Sequence, residues 1–228
     1  MLCKWEELPQ FMQISEVWKY YQYLSRCKLS LLIKRTFDFV MSSVMLVFFV
    51  PVFLCLAVWI KLDSPGPVFY RQERVTQYGR IFQIYKFRTM VQNADKSGSL
   101  VTIKEDKRVT RVGKKLRGCR LDELPQLINI WKGEMTFVGT RPEVVKYVRK
   151  YTKEMLATLL LPAGVTSECS IKYKNEDSFL QVAEDAEYIY SSYVLREKMQ
   201  YNLKSLLEFN LFQDLKILIK TILSVVLL

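Results

Sequence analysis

Residues 39–60 are an uncharged run of 22 residues, and this run limits what the chain can fold into more than any other feature. At helical rise it is long enough to cross a bilayer core of about 30 Å. Pro51 lies near its middle, where the missing N–H and the ring clash predict a bend. Lys34 and Arg35 precede the run and Lys61 follows it. The run is therefore predicted to be a bent membrane anchor.

Two topologies of this anchor are compatible with the residues. Because both ends are basic, the positive-inside preference selects no side and is best satisfied if both ends stay cytoplasmic. The two halves, residues 39–50 and 51–60, would each be about 15–18 Å long and would reach roughly the middle of the bilayer. A re-entrant helix pair that enters and leaves one leaflet and a bent spanning helix both remain open.

The charge and cysteine content restrict the partners. A formal net charge of +11 in a chain that is half hydrophobic suits an anionic membrane surface. We expect no nucleic-acid partner, because the chain has neither an RNP sequence nor zinc-ligand spacing. Five cysteines without C-x-x-C spacing favour neither a disulfide framework nor a zinc site, so a reducing compartment is expected.

Asp122 and Glu123 are adjacent carboxylates in a chain that contains no histidine. Any acid, base or nucleophile must therefore come from carboxylates, Lys, Tyr or Cys. Arg117 and Arg120 lie close by in sequence, and guanidinium groups both keep a carboxylate ionised and bind phosphate oxygens in a fork. The pattern predicts a site for a phosphorylated substrate, with Asp122 as a candidate nucleophile.

A purely structural interpretation of the dyad is also open. Leu124, Leu127, Ile128 and Trp131 recur at helical spacing, so Asp122 could simply be the N-cap of an amphipathic helix. The two interpretations are compatible, since a helix N-terminus is also a place where anions bind.

The remaining chain is expected to surround the anchor and the dyad. Residues 1–33 are rich in aromatics and favour an interfacial or docking helix. Residues 68–70 and 81–85 read as a hairpin. Lys86 and Arg88 follow it, as part of an anion site or as a solvated strand end. The apolar tail, residues 212–228, is expected to lie on the membrane or pack on the anchor.

Six motifs, in order, resemble those of the bacterial sugar transferases, the monotopic polyprenyl-phosphate phosphoglycosyl transferases. The proline-containing apolar run follows the first of them. The motifs are Lys34-Arg35-Thr36-Phe37-Asp38, Ile60-Lys61-Leu62-Asp63-Ser64-Pro65-Gly66-Pro67-Val68-Phe69-Tyr70, Tyr85-Lys86-Phe87-Arg88-Thr89-Met90, Asp106-Lys107-Arg108-Val109-Thr110, Leu121-Asp122-Glu123-Leu124-Pro125-Gln126-Leu127 and Val138-Gly139-Thr140-Arg141-Pro142.

The resemblance implies an enzyme of the bacterial inner membrane with its catalytic domain on the cytoplasmic face. Such an enzyme moves a sugar-1-phosphate from a nucleoside diphosphate sugar, here expected to be a UDP-sugar, onto undecaprenyl phosphate with Mg²⁺. This step starts an exopolysaccharide, capsule, O-antigen or glycoprotein glycan. Asp122 would be the nucleophile, Glu123 would assist it and the metal, and Arg117 and Arg141 would bind phosphate. The bond broken is a phosphoanhydride, so catalysis should be mostly positioning and charge neutralisation.

The expected fold is α+β and mainly helical, with interfacial amphipathic helices, a small β-hairpin and a re-entrant membrane helix broken at Pro51. We divide the chain into an N-terminal segment (1–33), the membrane helix (34–62) and a catalytic domain with a membrane-associated C-terminal helix (63–228). Only this minimal catalytic unit is expected. Homo-oligomer formation is left open.

Three departures from the family pattern qualify these expectations. Val50 stands where a serine often precedes the bend proline, and Thr140 replaces a proline. After Thr166 the usual Gly-Trp and Asn-Gly-Arg stretch is missing, so Lys174 would have to replace an arginine that binds substrate, although an ammonium is no bidentate fork. Asn202 falls where the family usually has an aspartate. The alternatives are a non-catalytic membrane-docked scaffold and a bitopic anchor protein.

Overall fold

The computed structural model describes residues 2–92, 94, 106–173 and 186–226. This part of the chain is mainly helical, as the sequence predicted, and it contains two small sheets. The α-helices are α1 Ser15–Arg26, α2 Lys28–Phe48, α3 Val50–Asp63, α4 Arg111–Gly118, α5 Gln126–Lys132, α6 Val145–Val148, α7 Glu168–Lys172, α8 Ala186–Ile189, α9 Leu195–Leu207 and α10 Leu211–Val226. The strands are β1 Phe69–Val75, β2 Ile81–Phe87, β3 Met135–Val138 and β4 Ala163–Thr166.

Each sheet has two strands. β1 and β2 pair antiparallel, with Phe69 opposite Phe87 and Val75 opposite Ile81. β3 and β4 pair parallel across a long crossover. In that pair the backbone segments at Gly139 and Gly164 approach each other closely, because a Cβ on Gly164 would stand only 2.2 Å from the Gly139 nitrogen.

The uncharged run is a bent helix pair. No single described helix is long and apolar enough to cross a membrane, but α2 and α3 pass that test together and meet at 61°. The break falls at Phe49, and Pro51 lies in the first turn of α3. The bend is thus slightly earlier than Pro51 itself, because proline is well tolerated in the first turn of a helix, where its missing N–H has no intrahelical partner.

One side of this pair packs on the domain and the other does not. Leu56 and Ile60 of α3 are buried against Phe87, Val112 and Leu116. The opposite side exposes large apolar side chains along its whole length. They are Phe39, Val40, Val44, Val47, Phe48, Val50, Leu54, Val58, Trp59 and Leu62.

The N-terminal segment is part of the folded domain. The buried side chains of α1, among them Val17 and Leu24, belong to one core cluster with Leu160 and with Leu203 of α9. Trp5, Trp18 and Tyr21 make edge and stacked ring contacts beside this cluster. The sequence left two alternatives open for residues 1–33, an interfacial helix and a docking helix. The packing of α1 into the core of the domain is the packing expected of a docking helix.

Candidate active site

The carboxylate dyad lies in a tight turn between two helices. Arg120 adopts a left-handed backbone conformation, with φ of 56°, and the 3₁₀ turn Leu121–Glu123 follows directly. The next helix, α5, begins at Gln126 and has Pro125 at its N-cap with no side-chain cap. The interpretation of Asp122 as an N-cap is therefore wrong, because the proline two residues after the dyad delays the helix.

Glu123 is held by two cations. Arg141 donates from both terminal nitrogens of its guanidinium, and Lys86 Nζ donates to Glu123 Oε1 at 3.0 Å. Burial opposes the charged form, but Arg141 and Lys86 together hold the pKa of Glu123 well below its usual range. The same carboxylate raises the pKa of Arg141. Glu123 is therefore an anion at neutral pH, held in place by Arg141 and Lys86.

Asp122 differs from its neighbour. Its side chain is only 7% exposed, and within the described ranges no group donates a hydrogen bond to its carboxylate. Burial raises the pKa of Asp122, the Lys86 ammonium opposes this shift, and the Glu123 carboxylate adds to it. A carboxylate that is poorly solvated and without donors is more nucleophilic than one held by hydrogen bonds. The two adjacent acids thus have different environments, and only Glu123 is held by cationic donors among the described residues.

Arg141 is positioned through the backbone around it. It follows β3 after a two-residue turn, and Arg74 of β1 donates to the carbonyl oxygen of Pro142 at 3.0 Å. Arg74 is itself half-buried, and desolvation lowers its pKa. The turn that carries Arg141 is thereby tied to the antiparallel sheet that carries Lys86.

The bent helix pair also fixes β3. Lys34 Nζ donates to the Val138 carbonyl at 2.8 Å and to Asp214 Oδ2 at 2.5 Å. One helical turn further on, Asp38 accepts from Thr136 Oγ1 at 2.6 Å and from the Phe137 nitrogen at 3.2 Å. The first family motif therefore connects α2 to the strand that leads into Arg141.

The other residues predicted for the site are less closely assembled. Arg117 Nε donates to Thr89 Oγ1 at 2.9 Å, and its positive charge opposes the raised pKa of Asp122. Arg88 is directed elsewhere: its guanidinium donates to the Ser64 carbonyl at 2.6 Å and to the hydroxyl of the same residue, at the end of α3. Nε and Nη1 of Arg88 are buried without a partner in the described structure.

Two further predictions concern positions away from the dyad. Lys174 lies outside the described residues. Val50 and Pro51 form the first turn of α3, directly after the break between α2 and α3.

The sequence reasoning assigned no role to Gln126. This side chain is 1% exposed, and its Nε2 has no hydrogen-bond partner in the described structure. Gln126 lies in the Asp122 motif, one residue after Pro125, and this position could have indicated that it belongs to the site. Arg74 was also missed, and no pattern in the sequence points to it.

The described residues contain no group of three or more His, Cys, Asp or Glu side chains that could hold a metal ion. Mg²⁺, however, usually binds through one or two carboxylates together with substrate phosphates. Asp122 has a carboxylate without donors, and Glu123 Oε2 has only a 3.5 Å contact with Arg141. The dyad therefore fits a Mg²⁺ ion that arrives with a phosphorylated substrate.

The sequence profile of the family described as "Bacterial sugar transferase" matches residues 29–227, which includes the bent helix pair, the dyad and Arg141. The chain belongs to this family. The resemblance drawn from the motifs is thereby confirmed.

Three relatives of this sugar transferase have informative names. It is 35% identical over 193 residues to the UDP-N-acetylgalactosamine-undecaprenyl-phosphate N-acetylgalactosaminephosphotransferase of Aeromonas hydrophila, covering 83% of this chain and 43% of the relative. It is 42% identical over 125 residues to the putative undecaprenyl-phosphate N-acetylgalactosaminyl 1-phosphate transferase of Bacillus subtilis (strain 168), covering 55% and 70%. It is 34% identical to the exopolysaccharide production protein ExoY of Rhizobium meliloti (strain 1021), with 83% of each chain covered. The chain thus spans less than half of the first relative's length.

Proposed function

We propose that this sugar transferase moves a sugar-1-phosphate from a nucleoside diphosphate sugar to a polyprenyl phosphate through a covalent intermediate on Asp122. The observation that carries the proposal is the contrast within the dyad: no described residue donates a hydrogen bond to Asp122, while Glu123 is fixed by Arg141 and Lys86. The names of the relatives support undecaprenyl phosphate and a UDP-sugar as the substrates.

In the first step, an Asp122 carboxylate oxygen attacks the phosphorus that bears the sugar. The new bond is an acyl phosphate, and the phosphoanhydride bond breaks to release a nucleoside monophosphate. In the second step a polyprenyl phosphate oxygen attacks the same phosphorus and regenerates the Asp122 carboxylate. Because the leaving group of the first step is an anion that needs no proton at neutral pH, a chain without histidine can run this chemistry.

The cations around the dyad have separate tasks. Arg141 and Lys86 neutralise negative charge that collects on the phosphoryl oxygens, and their ion pairs with Glu123 keep them in place. Arg117 supplies positive charge on the α4 side of Asp122. A Mg²⁺ ion held by Asp122, Glu123 and substrate phosphate oxygens would supply further charge neutralisation.

A two-step reaction has a specific signature. The enzyme supplied with nucleotide sugar alone should release nucleoside monophosphate once and gain the mass of one sugar phosphate. Asp122→Asn should show neither result, since an amide is a far poorer nucleophile. Intact-protein mass spectrometry with peptide mapping is the measurement. Ordinary turnover by Asp122→Asn would refute the assignment.

We further propose that α2 and α3 dip into one leaflet of the bacterial inner membrane and return, with the catalytic domain on the cytoplasmic face. The support is the 61° bend and the row of exposed apolar side chains on both helices. The apolar part of each helix is about 15 Å long, half of a bilayer core. Both ends of the pair also carry buried contacts to the same domain, at Asp38 and at Asp63, whose carboxylate accepts from the Val112 nitrogen at 3.2 Å.

Cysteine labelling tests this topology, but Asp38 and Asp63 are engaged and would be poor positions for probes. Thr36 and Lys61 are exposed and flank the same apolar run. Single cysteines there, in a background without the native cysteines, should both be labelled from the cytoplasmic side. Labelling from opposite sides would show a spanning helix.

A further inference from the structure

A cavity of about 240 Å³ opens beside the dyad and is bounded by residues of α2, α5, β4, α7 and α10. Its lining includes Glu123 and Arg141 from the candidate active site and Met45 from α2. Other walls come from α5, from β4 and α7, and from the C-terminal helix α10. The cavity is therefore continuous with the reaction centre and lies where the anchor and α10 meet.

The polar side of the cavity is suited to an anion. Gln126 lines it, and the Nε2 of this side chain is buried without a hydrogen-bond partner in the described structure. A buried amide donor left unpaired costs free energy of about 1–3 kcal/mol, which a ligand that accepts the hydrogen bond would recover. Arg141 and Arg120 line the same cavity and carry positive charge. A phosphate oxygen would satisfy the donor and complement the cations.

The apolar side of the cavity is built mainly from aliphatic side chains of α5 and α10. Leu218 and Ile222 of α10 form one wall, and Leu127 and Ile130 of α5 form another. Ile222 is 62% exposed on the outer surface of its helix, so this wall continues into exposed apolar surface. The aliphatic side chains of these two walls match a hydrocarbon chain.

We propose that this cavity binds the first part of the acceptor lipid: the phosphate of polyprenyl phosphate against Gln126 and Arg141, and the first isoprene units against Leu218, Leu127 and Ile130. This inference rests on the proposed function for the identity of the acceptor. The volume lies just below the range of about 300–1,000 Å³ typical of small-ligand sites. The cavity therefore takes only the phosphate end of a long lipid, and the rest of the prenyl chain stays in the bilayer.

The test compares two tryptophan substitutions in α10. Leu218→Trp fills the cavity, whereas Ile219→Trp places the same ring on the neighbouring position, which is 51% exposed and does not line the cavity. Binding of radiolabelled undecaprenyl phosphate to each full-length protein is measured in mixed micelles. We expect the Kd of Leu218→Trp to rise about tenfold, the equivalent of roughly two lost methylene contacts, and that of Ile219→Trp to stay within about twofold.

A third variant tests the phosphate end. Gln126→Met keeps the volume of the side chain but removes the amide donor, and the Kd for undecaprenyl phosphate should rise about tenfold, as expected for a lost hydrogen bond to a charged group. The KM for the sugar nucleotide should change by less than about twofold in both cavity variants. A merely structural role of Gln126 would alter both substrates alike.

Binding and turnover separate the two proposals. If wild-type protein binds undecaprenyl phosphate but releases no nucleoside monophosphate with any sugar nucleotide, the proposed function fails and the lipid site stands. If it turns over normally and Leu218→Trp binds the lipid as tightly as Ile219→Trp does, the cavity is not the lipid site. Wild-type protein that binds no undecaprenyl phosphate would also overturn the inference.

Discussion

Lys34→Met is expected to lower the free energy of unfolding by about 3 kcal/mol, because it removes the cation of a buried pair. The side chains of Lys34 and Asp214 are only 10% and 18% exposed, and the nitrogen and oxygen are 2.5 Å apart. The variant leaves the Asp214 carboxylate and the Val138 carbonyl without this donor. Partial exposure of Asp214 places the estimate at the lower end of the usual 3–5 kcal/mol for breaking such a pair.

A matched control is available in the same chain. Lys19 and Glu154 form an ion pair at 2.8 Å, but their side chains are 57% and 46% exposed. Lys19→Met should therefore cost less than about 1 kcal/mol. Urea unfolding in detergent micelles, followed by circular dichroism, gives both free energies by linear extrapolation. Equal costs for Lys34→Met and Lys19→Met would refute the argument that burial determines the strength of the pair.

The pH dependence provides a second check on Lys34→Met. Burial raises the pKa of Asp214, and Lys34 opposes that shift. Without Lys34 the folded pKa lies further above the unfolded value near 3.9, so the folded state binds protons more readily than the unfolded state. Stability of the variant should then be lost as the pH rises through the folded pKa, and the deficit should shrink on acidification. A deficit independent of pH would show that Asp214 is not left charged and buried.

Three other substitutions have defined outcomes. Gly113→Ala should destabilise the fold by about 1–3 kcal/mol, because a Cβ there would stand 2.0 Å from the Thr89 carbonyl oxygen. Gly118→Ala in the same helix is the control: a Cβ there meets nothing within 4 Å, so this variant should be neutral or stabilised by up to about 1 kcal/mol. Thermal unfolding measures both. Arg141→Lys should reduce kcat/KM at least about tenfold in a nucleoside monophosphate release assay, because an ammonium cannot reproduce the guanidinium fork. Wild-type turnover by this variant would show that Arg141 does not bind the substrate phosphate. Glu123→Gln should slow turnover without abolishing it and should destabilise the fold at neutral pH. Since the pKa of this carboxyl is depressed in the fold, its contribution is present above the unfolded pKa near 4.3, and the gap between variant and wild type should close as the pH falls through the folded value.

The bend of the apolar helix pair could be predicted because it depends on local composition and on one proline. The position of the break could not be placed to the residue, since a proline can either interrupt a helix or begin the next one. Here Pro51 falls in the first turn of α3, and Phe49 takes the break. That choice depends on how both helices pack on the domain.

The dyad and its partners show where sequence reasoning is limited. Lys86 and Arg88 flank the same residue and looked equivalent, yet only Lys86 reaches Glu123. Arg88 instead contacts backbone oxygen at the end of α3. The difference is set by where α3 ends relative to β2, a long-range relation that no local pattern encodes.

The pairing of β3 with β4 and the burial of Gln126 were also beyond the sequence. The two strands are parallel and are joined by a crossover, so neither a turn signal nor a fixed spacing marks them. Gln126 is an ordinary first residue of a helix by pattern, and only its burial beside Arg141 makes it a candidate contact for substrate.

The most direct test of the proposed reaction uses purified protein in lipid nanodiscs with undecaprenyl phosphate, Mg²⁺ and a panel of UDP-sugars. We expect nucleoside monophosphate release with at least one sugar, formation of a lipid-linked sugar diphosphate, and loss of both in Asp122→Asn. Thermal unfolding of Asp122→Asn should show an intact fold, so that the loss can be assigned to chemistry. Release of nucleoside monophosphate by Asp122→Asn at the wild-type rate would contradict the central role of Asp122, and no release by wild-type protein with any sugar would contradict the proposed reaction.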